Sequence, residues 1–216
     1  RKTTPVMHLT CRGQTWKSLE RLITRWKRLR VQRVLALRGD AFRPRNDGPN
    51  SSVELVAFLT EHGMKTAVAA YPDGHPDARK AAHEMSETHW LYRKLEAGAD
   101  QIVTQFSARI DGVLRLRDAV ERFGEPVEMR VGVMPVPDWE RFKTLIDRCG
   151  IEPDPGEALL FDGLPDDSHH ALSLGLAYAN MRALRAEGCT SFHLYGLNDS
   201  RLLLPLIRSL QSLDRP

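Results

Sequence analysis

The chain has 216 residues, of which 42% are hydrophobic and 27% are charged, and its formal net charge is +3 at pH 7. This composition is typical of a globular protein, and the length favours a single domain spanning residues 1–216. The small net charge argues against nucleic-acid binding, and no apolar run approaches the ~18 residues of a membrane span. The three cysteines show no paired spacing, so we predict no disulfide framework, no metal site and a cytoplasmic location.

Short apolar runs rich in β-branched residues alternate with amphipathic runs of helical period. The predicted strands cover residues 6–11, 33–37, 65–71, 101–106, 128–134 and 191–196. The predicted helices cover residues 16–29, 52–62, 79–97, 110–123, 138–148 and 168–187. Asp138 and Ser168 are predicted N-caps. The predicted helix ends are Gly63, Gly98, Gly124 and Gly188.

Repeated strand-then-helix units predict a parallel sheet covered by helices, and therefore an α/β fold. No segment carries the G-x-G-x-x-G or Walker-type loop of the common nucleotide-binding folds. Polar residues follow many of the strands, which favours a (β/α)8 TIM-type barrel over an open doubly wound sheet. Since only six strands are visible, we expect an N-terminally incomplete barrel. Residues that precede Arg1, a homo-oligomer or a partner chain would then cover its open edges.

The stretch "VLALRGD" places a cation, a glycine and a carboxylate directly after an apolar strand. An Arg-Gly-Asp adhesion tripeptide would need an exposed loop in a secreted protein. A position at the end of a core strand instead favours a site at the mouth of a sheet or barrel, where strand ends carry the chemistry. On the residues alone, Asp40 is as readily a turn cap as a site residue.

Several segments match one known family in order and approximate spacing. They are "HLTC" (8–11), "VLALRGD" (34–40), "AAYPDGHPDA" (69–78), "LEAGADQIVTQF" (95–106), "VGVMPV" (131–136), "FDGL" (161–164) and "FHLYGLN" (192–198). In this series the chain resembles the methylenetetrahydrofolate reductase family from residue 5 to its C-terminus. The resemblance implies a (βα)8 flavoprotein of one-carbon metabolism. Such an enzyme passes hydride from NADH or NADPH through FAD to methylenetetrahydrofolate and yields methyltetrahydrofolate.

The same resemblance assigns roles to the residues at the first two visible strands. Arg38 and Gly39 would contact FAD, and Asp40 would lie near the flavin and the folate as the catalytic and substrate-binding carboxylate. Such a carboxylate tunes the flavin and stabilises a cationic form of the folate. His8 and Thr10 alternate on the first strand, so they share a face, and the resemblance places them at the flavin.

Further roles follow from the resemblance along the chain. Tyr71 and His75, in a loop stiffened by two prolines, would contact FAD. Arg93 and Lys94 would neutralise the FAD diphosphate. Gln105 would bind the pterin of the folate, because a primary amide both donates to and accepts from a ring edge.

The chain also departs from the family pattern. Trp90 stands where the family commonly has asparagine, the segment 76–94 is longer than usual, and the family's first-strand catalytic glutamate is not among these residues. Two alternatives therefore stay open. One is a flavin-free relative that transfers hydride directly between nicotinamide and folate, with Trp90 filling the phosphate pocket. The other is a non-catalytic subunit that binds folate or a partner.

Overall fold

The structure is a computed structural model that describes residues 4–39, 44–75, 86–107, 109–136, 139–149, 151, 155–197 and 199–213. Its strands are β1 (Val6–Thr10), β2 (Arg33–Leu37), β3 (Lys65–Ala70), β4 (Gln101–Phe106), β5 (Glu128–Val133) and β6 (Phe192–Leu194). They form one six-stranded sheet in chain order, and the β1–β2, β2–β3 and β5–β6 pairs are parallel. Chain order is the strand order of a (β/α) barrel, since a doubly wound sheet reverses direction. The predicted fold class is thereby confirmed.

Helices separate the strands, as predicted, and two further helices were not predicted. The helices are α1 (Trp16–Arg28), α2 (Ser52–Glu61), α3 (Glu87–Glu96), α4 (Ile110–Phe123), α5 (Trp139–Cys149), α6 (Pro155–Phe161), α7 (Asp166–Ala186) and α8 (Ser200–Leu213). The unpredicted ones are α6 and α8. No helix of the described residues is long and apolar enough to cross a membrane.

Two helix starts differ from the prediction. Helix α3 begins at Glu87, because Ser86 has a non-helical backbone with a ψ of 154° and its side chain accepts a hydrogen bond from the His89 amide. The helix predicted over residues 79–97 is therefore not continuous through Ser86, and residues 79–85 lie outside the described part. Helix α7 begins two residues before the predicted cap Ser168, after Pro165, whose fixed φ suits a helix entry. The other predicted cap, Asp138, lies outside the described residues.

The chain forms two compact units. Unit 1 comprises Arg1–Ala70, Met85–Val103 and Phe123–Glu128. On its sheet, Leu35, Ala67 and Val103 form a buried cluster. Helix α1 buries Leu19, Ile23 and Trp26, which recur at helical spacing along one face.

Unit 2 comprises Tyr71–Glu84, Thr104–Arg122 and Met129–Pro216. Strand β5 supplies Val131 and Val133 to two buried clusters, the first with Leu184 and the second with Met181. A third cluster is rich in aromatic residues and includes Phe106. Val131 and Val133 are two residues apart, so they lie on one face of β5, and this face packs against helical residues.

Candidate functional site

In unit 1, the carboxyl ends of β1 and β2 lie side by side and bring together the predicted residues Thr10 and Gly39. Thr10 pairs with Leu37, and the Cys11 amide donates to the Leu37 carbonyl over 3.0 Å. Gly39 then has a φ of +88°, and a Cβ at this position would lie 3.1 Å from the Thr10 Cβ. Only glycine combines this backbone conformation with so close an approach.

Lys94 lies on the buried face of α3, together with Leu91 and Leu95. It is only 8% exposed, and its Nζ donates to the Ala69 carbonyl at the carboxyl end of β3 over 2.9 Å. Burial lowers the pKa of Lys94, while the charge of Glu87 partly offsets that effect. The positive charge of Arg38 lowers the Lys94 pKa further. A lysine in an apolar stripe, beside a second cation, is therefore held at the carboxyl edge of the strands.

The pair Arg38 and Lys94 makes this edge of unit 1 suited to an anion. Arg38 is exposed and follows β2 directly. Two neighbouring cations repel each other, and an anion that contacts both relieves this repulsion. Lysine and arginine are also the side chains that proteins use most for phosphate groups.

Arg93, although adjacent to Lys94 in the chain, is directed elsewhere. It is exposed, and its guanidinium lies 5.5 Å from the centre of the Trp90 ring. Successive side chains on a helix point about 100° apart, so Lys94 enters the core while Arg93 lies over the Trp90 ring. The structure thus separates two cations that the sequence treats as a pair.

In unit 2, Tyr71 and His75 form an aromatic pair. Their ring centres are 4.6 Å apart in an edge-to-face arrangement, and the Gly74 amide donates to the Tyr71 carbonyl over 3.0 Å. The turn packs tightly against the start of α4, because a Cβ at Gly112 would lie 3.0 Å from the Pro72 carbonyl oxygen. The two half-buried rings therefore have a fixed relative geometry.

Gln105, also in unit 2, is half-buried near the end of β4. Its Oε1 accepts a hydrogen bond from the Phe106 amide over 3.1 Å. Its Nε2 makes no hydrogen bond to the described residues. The side chain is anchored at one end and able to donate at the other.

Tyr195, which the sequence does not predict as a site residue, is held near Gln105 in unit 2. Its hydroxyl donates to the Thr104 carbonyl over 2.9 Å, and its ring meets that of His193 edge-on with centres 4.6 Å apart. Burial, followed by the proximity of Tyr71 and Cys149, raises the pKa of Tyr195 to about 12. The available signal was its position directly after the last strand, in the quoted segment 192–198.

A separate apolar cavity also lies in unit 2. Its walls include Val133, Phe142 and Leu176, and it is also lined by Ser173, whose Oγ is buried without a partner among the described residues. Gln105, Tyr71 and Tyr195 do not line this cavity. We therefore place the candidate chemistry at the strand ends and not in the cavity.

Comparison with known proteins decides the family. A sequence model described as methylenetetrahydrofolate reductase matches residues 1–211. The chain belongs to the methylenetetrahydrofolate reductase family. It is 31% identical to the 5,10-methylenetetrahydrofolate reductase of Escherichia coli (strain K12) over 207 residues, which covers 94% of this chain and 69% of the relative. The predicted class, a methylenetetrahydrofolate reductase-like oxidoreductase, is thereby confirmed.

More distant relatives and a solved structure agree with this family. Methylenetetrahydrofolate reductase (NADH) 1 of Arabidopsis thaliana is 26% identical, and the match covers 97% of this chain and 38% of the relative. A solved structure of an uncharacterized protein from Clostridium thermocellum, described as binding two copies of 5-methyl-5,6,7,8-tetrahydrofolic acid, has a TM-score of 0.60. It is 10% identical, and the match covers 96% of this chain and 72% of that one. This likeness supports the fold.

Within the reductase family's signature segments, the structure groups the predicted residues in two sets. Unit 1 holds Thr10 against Gly39 and places Arg38 near Lys94, with His8 exposed on the Thr10 face of β1. Unit 2 pairs the rings of Tyr71 and His75 and anchors Gln105. Asp40, the predicted catalytic residue, lies outside the described residues. No three His, Cys, Asp or Glu residues of the described ranges are placed to hold a metal ion.

Proposed function

We propose that the protein reduces 5,10-methylenetetrahydrofolate to 5-methyltetrahydrofolate, with FAD as the bound cofactor and NADH or NADPH as the hydride donor. Relatives named for this reduction match 94% of the chain. A further relative carries NADH in its name, which supports a nicotinamide donor. Reaction and donor thus rest on the family, and the cofactor rests on the geometry of the strand ends.

The observation that carries the flavin proposal is the pair of cations at the carboxyl edge of unit 1. Lys94 is buried with a lowered pKa beside the charge of Arg38, an arrangement that a diphosphate would stabilise. The ammonium group of Lys94 has three N–H donors, and within the described part of the chain one of them is bonded, to the Ala69 carbonyl. Gly39 lets the backbone lie close to Thr10 without a side chain in the way. The residues present therefore fit the phosphate part of FAD.

FAD, when bound, accepts hydride from the nicotinamide and delivers it to the folate. In this proposal Arg38 and Lys94 hold the phosphates, and His8, Thr10 and Gly39 contact the flavin from unit 1. The rigid pair Tyr71 and His75 supplies an aromatic wall. Arg93 remains a cofactor residue of the proposal, with its guanidinium positioned over Trp90.

The folate is bound and polarised by two further residues. Gln105 donates through Nε2 to the pterin edge, while the Phe106 amide fixes its Oε1. Asp40 supplies a negative charge that stabilises the cationic form of the one-carbon unit as hydride arrives. An oxidoreductase of this kind needs both a fixed pterin and a stabilised cation, because hydride attacks a carbon of low electron density.

A second candidate is a flavin-free reductase that moves hydride directly from nicotinamide to folate. The observation that favours it is Trp90, half-buried on α3 and covered by the Arg93 guanidinium. With Arg93 over that ring, fewer cations remain for the cofactor phosphates. The cytoplasmic location and the homo-oligomer or partner chain remain predictions.

The test is to identify the cofactor of the purified protein. Protein isolated without added flavin is denatured by heat, and the supernatant is separated by chromatography against FAD and FMN standards. We expect FAD in roughly equimolar amount with the chain. A colourless protein that releases no flavin, yet reduces the folate with NADH, would reject the flavin proposal in favour of the second candidate.

A further inference from the structure

Tyr195 spans two strands of unit 2. It follows β6 and is held there by its own amide, which donates to the Val133 carbonyl of β5 over 2.9 Å. Its hydroxyl passes β5 and donates to the Thr104 carbonyl of β4 over 2.9 Å. One side chain thus ties the end of β6 to the residue immediately before Gln105.

Thr104 is the centre of this connection. It is fully buried, and its Oγ1 donates to the Gln105 carbonyl over 2.9 Å and accepts from the Gly132 amide over 2.8 Å. The Thr104 carbonyl accepts from Tyr195, and the Thr104 hydroxyl bonds both the Gln105 carbonyl and the Gly132 amide. The backbone around Gln105 is therefore held by Thr104. Side-chain hydroxyls here bond backbone groups that a regular ladder would pair with each other.

Gly132 makes this arrangement possible. A Cβ at Gly132 would overlap the Thr104 carbonyl oxygen and lie 2.8 Å from the Tyr195 Cε2. The φ of Gly132 is not in the left-handed region, so its lack of a side chain is what matters. Without a side chain at Gly132, the Tyr195 ring can lie directly against β5.

The Tyr195 ring is itself fixed on two sides. Phe106 contacts it with ring centres 5.9 Å apart and an interplanar angle of 69°, and His193 contacts it with centres 4.6 Å apart. Burial raises the pKa of Tyr195 to about 12, so the phenol stays protonated even well above neutral pH. The hydroxyl is therefore a permanent donor to Thr104 at physiological pH.

We propose that Tyr195 and Thr104 are positioning residues that set the orientation of the Gln105 side chain toward the folate. This inference rests on the proposed role of Gln105. The backbone of Gln105 is held from Thr104, and its Oε1 is held by the Phe106 amide. Among the described residues Nε2 has no acceptor, so these bonds leave it available as a donor on a held side chain. Tyr195 acts through Thr104 and not by contact with the folate.

The consequence is a specific pattern of folate affinity. Losing the Tyr195 hydroxyl removes one hydrogen bond to a carbonyl and loosens the peptide before Gln105. We expect the dissociation constant for 5-methyltetrahydrofolate to rise about fivefold to twentyfold, which corresponds to one modest hydrogen bond and lost alignment. Flavin content should stay unchanged, because neither residue is among those proposed to hold the phosphates.

The experiment is a double-mutant cycle on folate binding, measured by equilibrium dialysis with 5-methyltetrahydrofolate. The variants are Tyr195→Phe, Gln105→Ala and the double substitution, with Tyr178→Phe as the matched control. Tyr178 is a half-buried tyrosine of the same unit, packed against a different cluster. We expect Tyr195→Phe to weaken binding in the parent protein and to add less than about twofold in the Gln105→Ala background. Tyr178→Phe should leave binding unchanged.

A second pair of variants separates positioning from general destabilisation. Thr104→Ser keeps the hydroxyl and should retain near-parent affinity, whereas Thr104→Val removes it and should behave like Tyr195→Phe. Equal, additive effects of Tyr195→Phe and Gln105→Ala would overturn the inference while leaving the proposed function intact. A parent protein that does not bind 5-methyltetrahydrofolate would overturn both.

Discussion

A buried lysine costs free energy unless a hydrogen bond or an anion replaces its lost hydration. Among the described residues Lys94 has one such bond, to the Ala69 carbonyl, and its pKa is lowered by burial and by the charge of Arg38. A residual electrostatic cost at a strand end is typical of functional sites. A bound diphosphate would offset this electrostatic cost. A substitution of Lys94 is therefore a sensitive test of the flavin proposal.

Replacing Lys94 by methionine should weaken FAD binding about tenfold to a hundredfold, the usual loss for one charge-assisted hydrogen bond. The apoprotein should fold normally, because methionine fills similar space without a buried charge. Titration of apoprotein with FAD, followed by flavin fluorescence, measures the change. Lys65→Met is the matched control, since Lys65 is exposed at the opposite end of β3. Equal effects of the two substitutions would remove Lys94 from the site.

The Tyr195 phenol predicts a pH dependence of stability. Its pKa is about 12 in the folded protein, against an ordinary value of 10.0. The protonated phenol contributes fully to the free energy of unfolding below pH ~10. This contribution is lost as the pH rises through the folded pKa, since Tyr195 ionises at lower pH in the unfolded chain. Urea unfolding at neutral pH and near pH ~11 should show the parent protein losing about 1.4 kcal/mol relative to Tyr195→Phe. A constant difference between the two proteins would contradict this.

At this scale, the sequence predicts some site residues and misses others for physical reasons. Arg38 and Gly39 end a clearly apolar strand, so their place at a sheet edge follows from the pattern. Which of Arg93 and Lys94 enters the core depends on how α3 is rotated against β3, and the two adjacent cations do not reveal this. Tyr195 bonds a carbonyl 91 residues away in the chain, which no local pattern indicates.

At the scale of elements, helix α1 shows how local chemistry fixes a boundary. Thr15 accepts a hydrogen bond from the Ser18 amide over 3.1 Å, and Ser18 accepts one from the Thr15 amide over 2.8 Å. These reciprocal bonds form a capping box and satisfy two donors that the first helical turn leaves free.

Thr15→Ala should therefore lower the free energy of unfolding by about 1 kcal/mol, the usual effect of a lost N-cap. Thr24→Ala on the same helix is the control. Thr24 is exposed and its hydroxyl donates to the Glu20 carbonyl one turn earlier, so alanine there should be neutral or slightly stabilising. Urea midpoints of both variants test the comparison. A larger loss at Thr24 than at Thr15 would show that the cap does not stabilise the helix.

The strands were easier to predict than the helices. Residues 33–37 and 101–106 match β2 and β4 at both ends, because short apolar runs bounded by polar residues define them. Helix α6 is only 7 residues long and follows a stretch rich in Pro and Asp, so its period is not visible. Helix α8 contains Pro205, which interrupts the expected helical signal.

For the whole molecule, the fold follows from the alternation of strands and helices. A helix that joins two parallel strands returns the chain to the edge where the first strand began, so the carboxyl ends of both strands lie at one edge. The six strands follow one another in chain order. The family match over residues 1–211 agrees with this order. What local pattern cannot supply is the cofactor, because phosphate binding depends on the burial and charge of a few side chains.

The most direct test follows flavin absorbance while the purified protein is mixed anaerobically, first with NADH and then with 5,10-methylenetetrahydrofolate. We predict that bound flavin loses its colour with NADH, and that its colour returns on addition of the folate as 5-methyltetrahydrofolate forms in equal amount. A protein without flavin absorbance, or one whose reduced flavin stays colourless in the presence of the folate, would contradict the proposed flavin-dependent reduction.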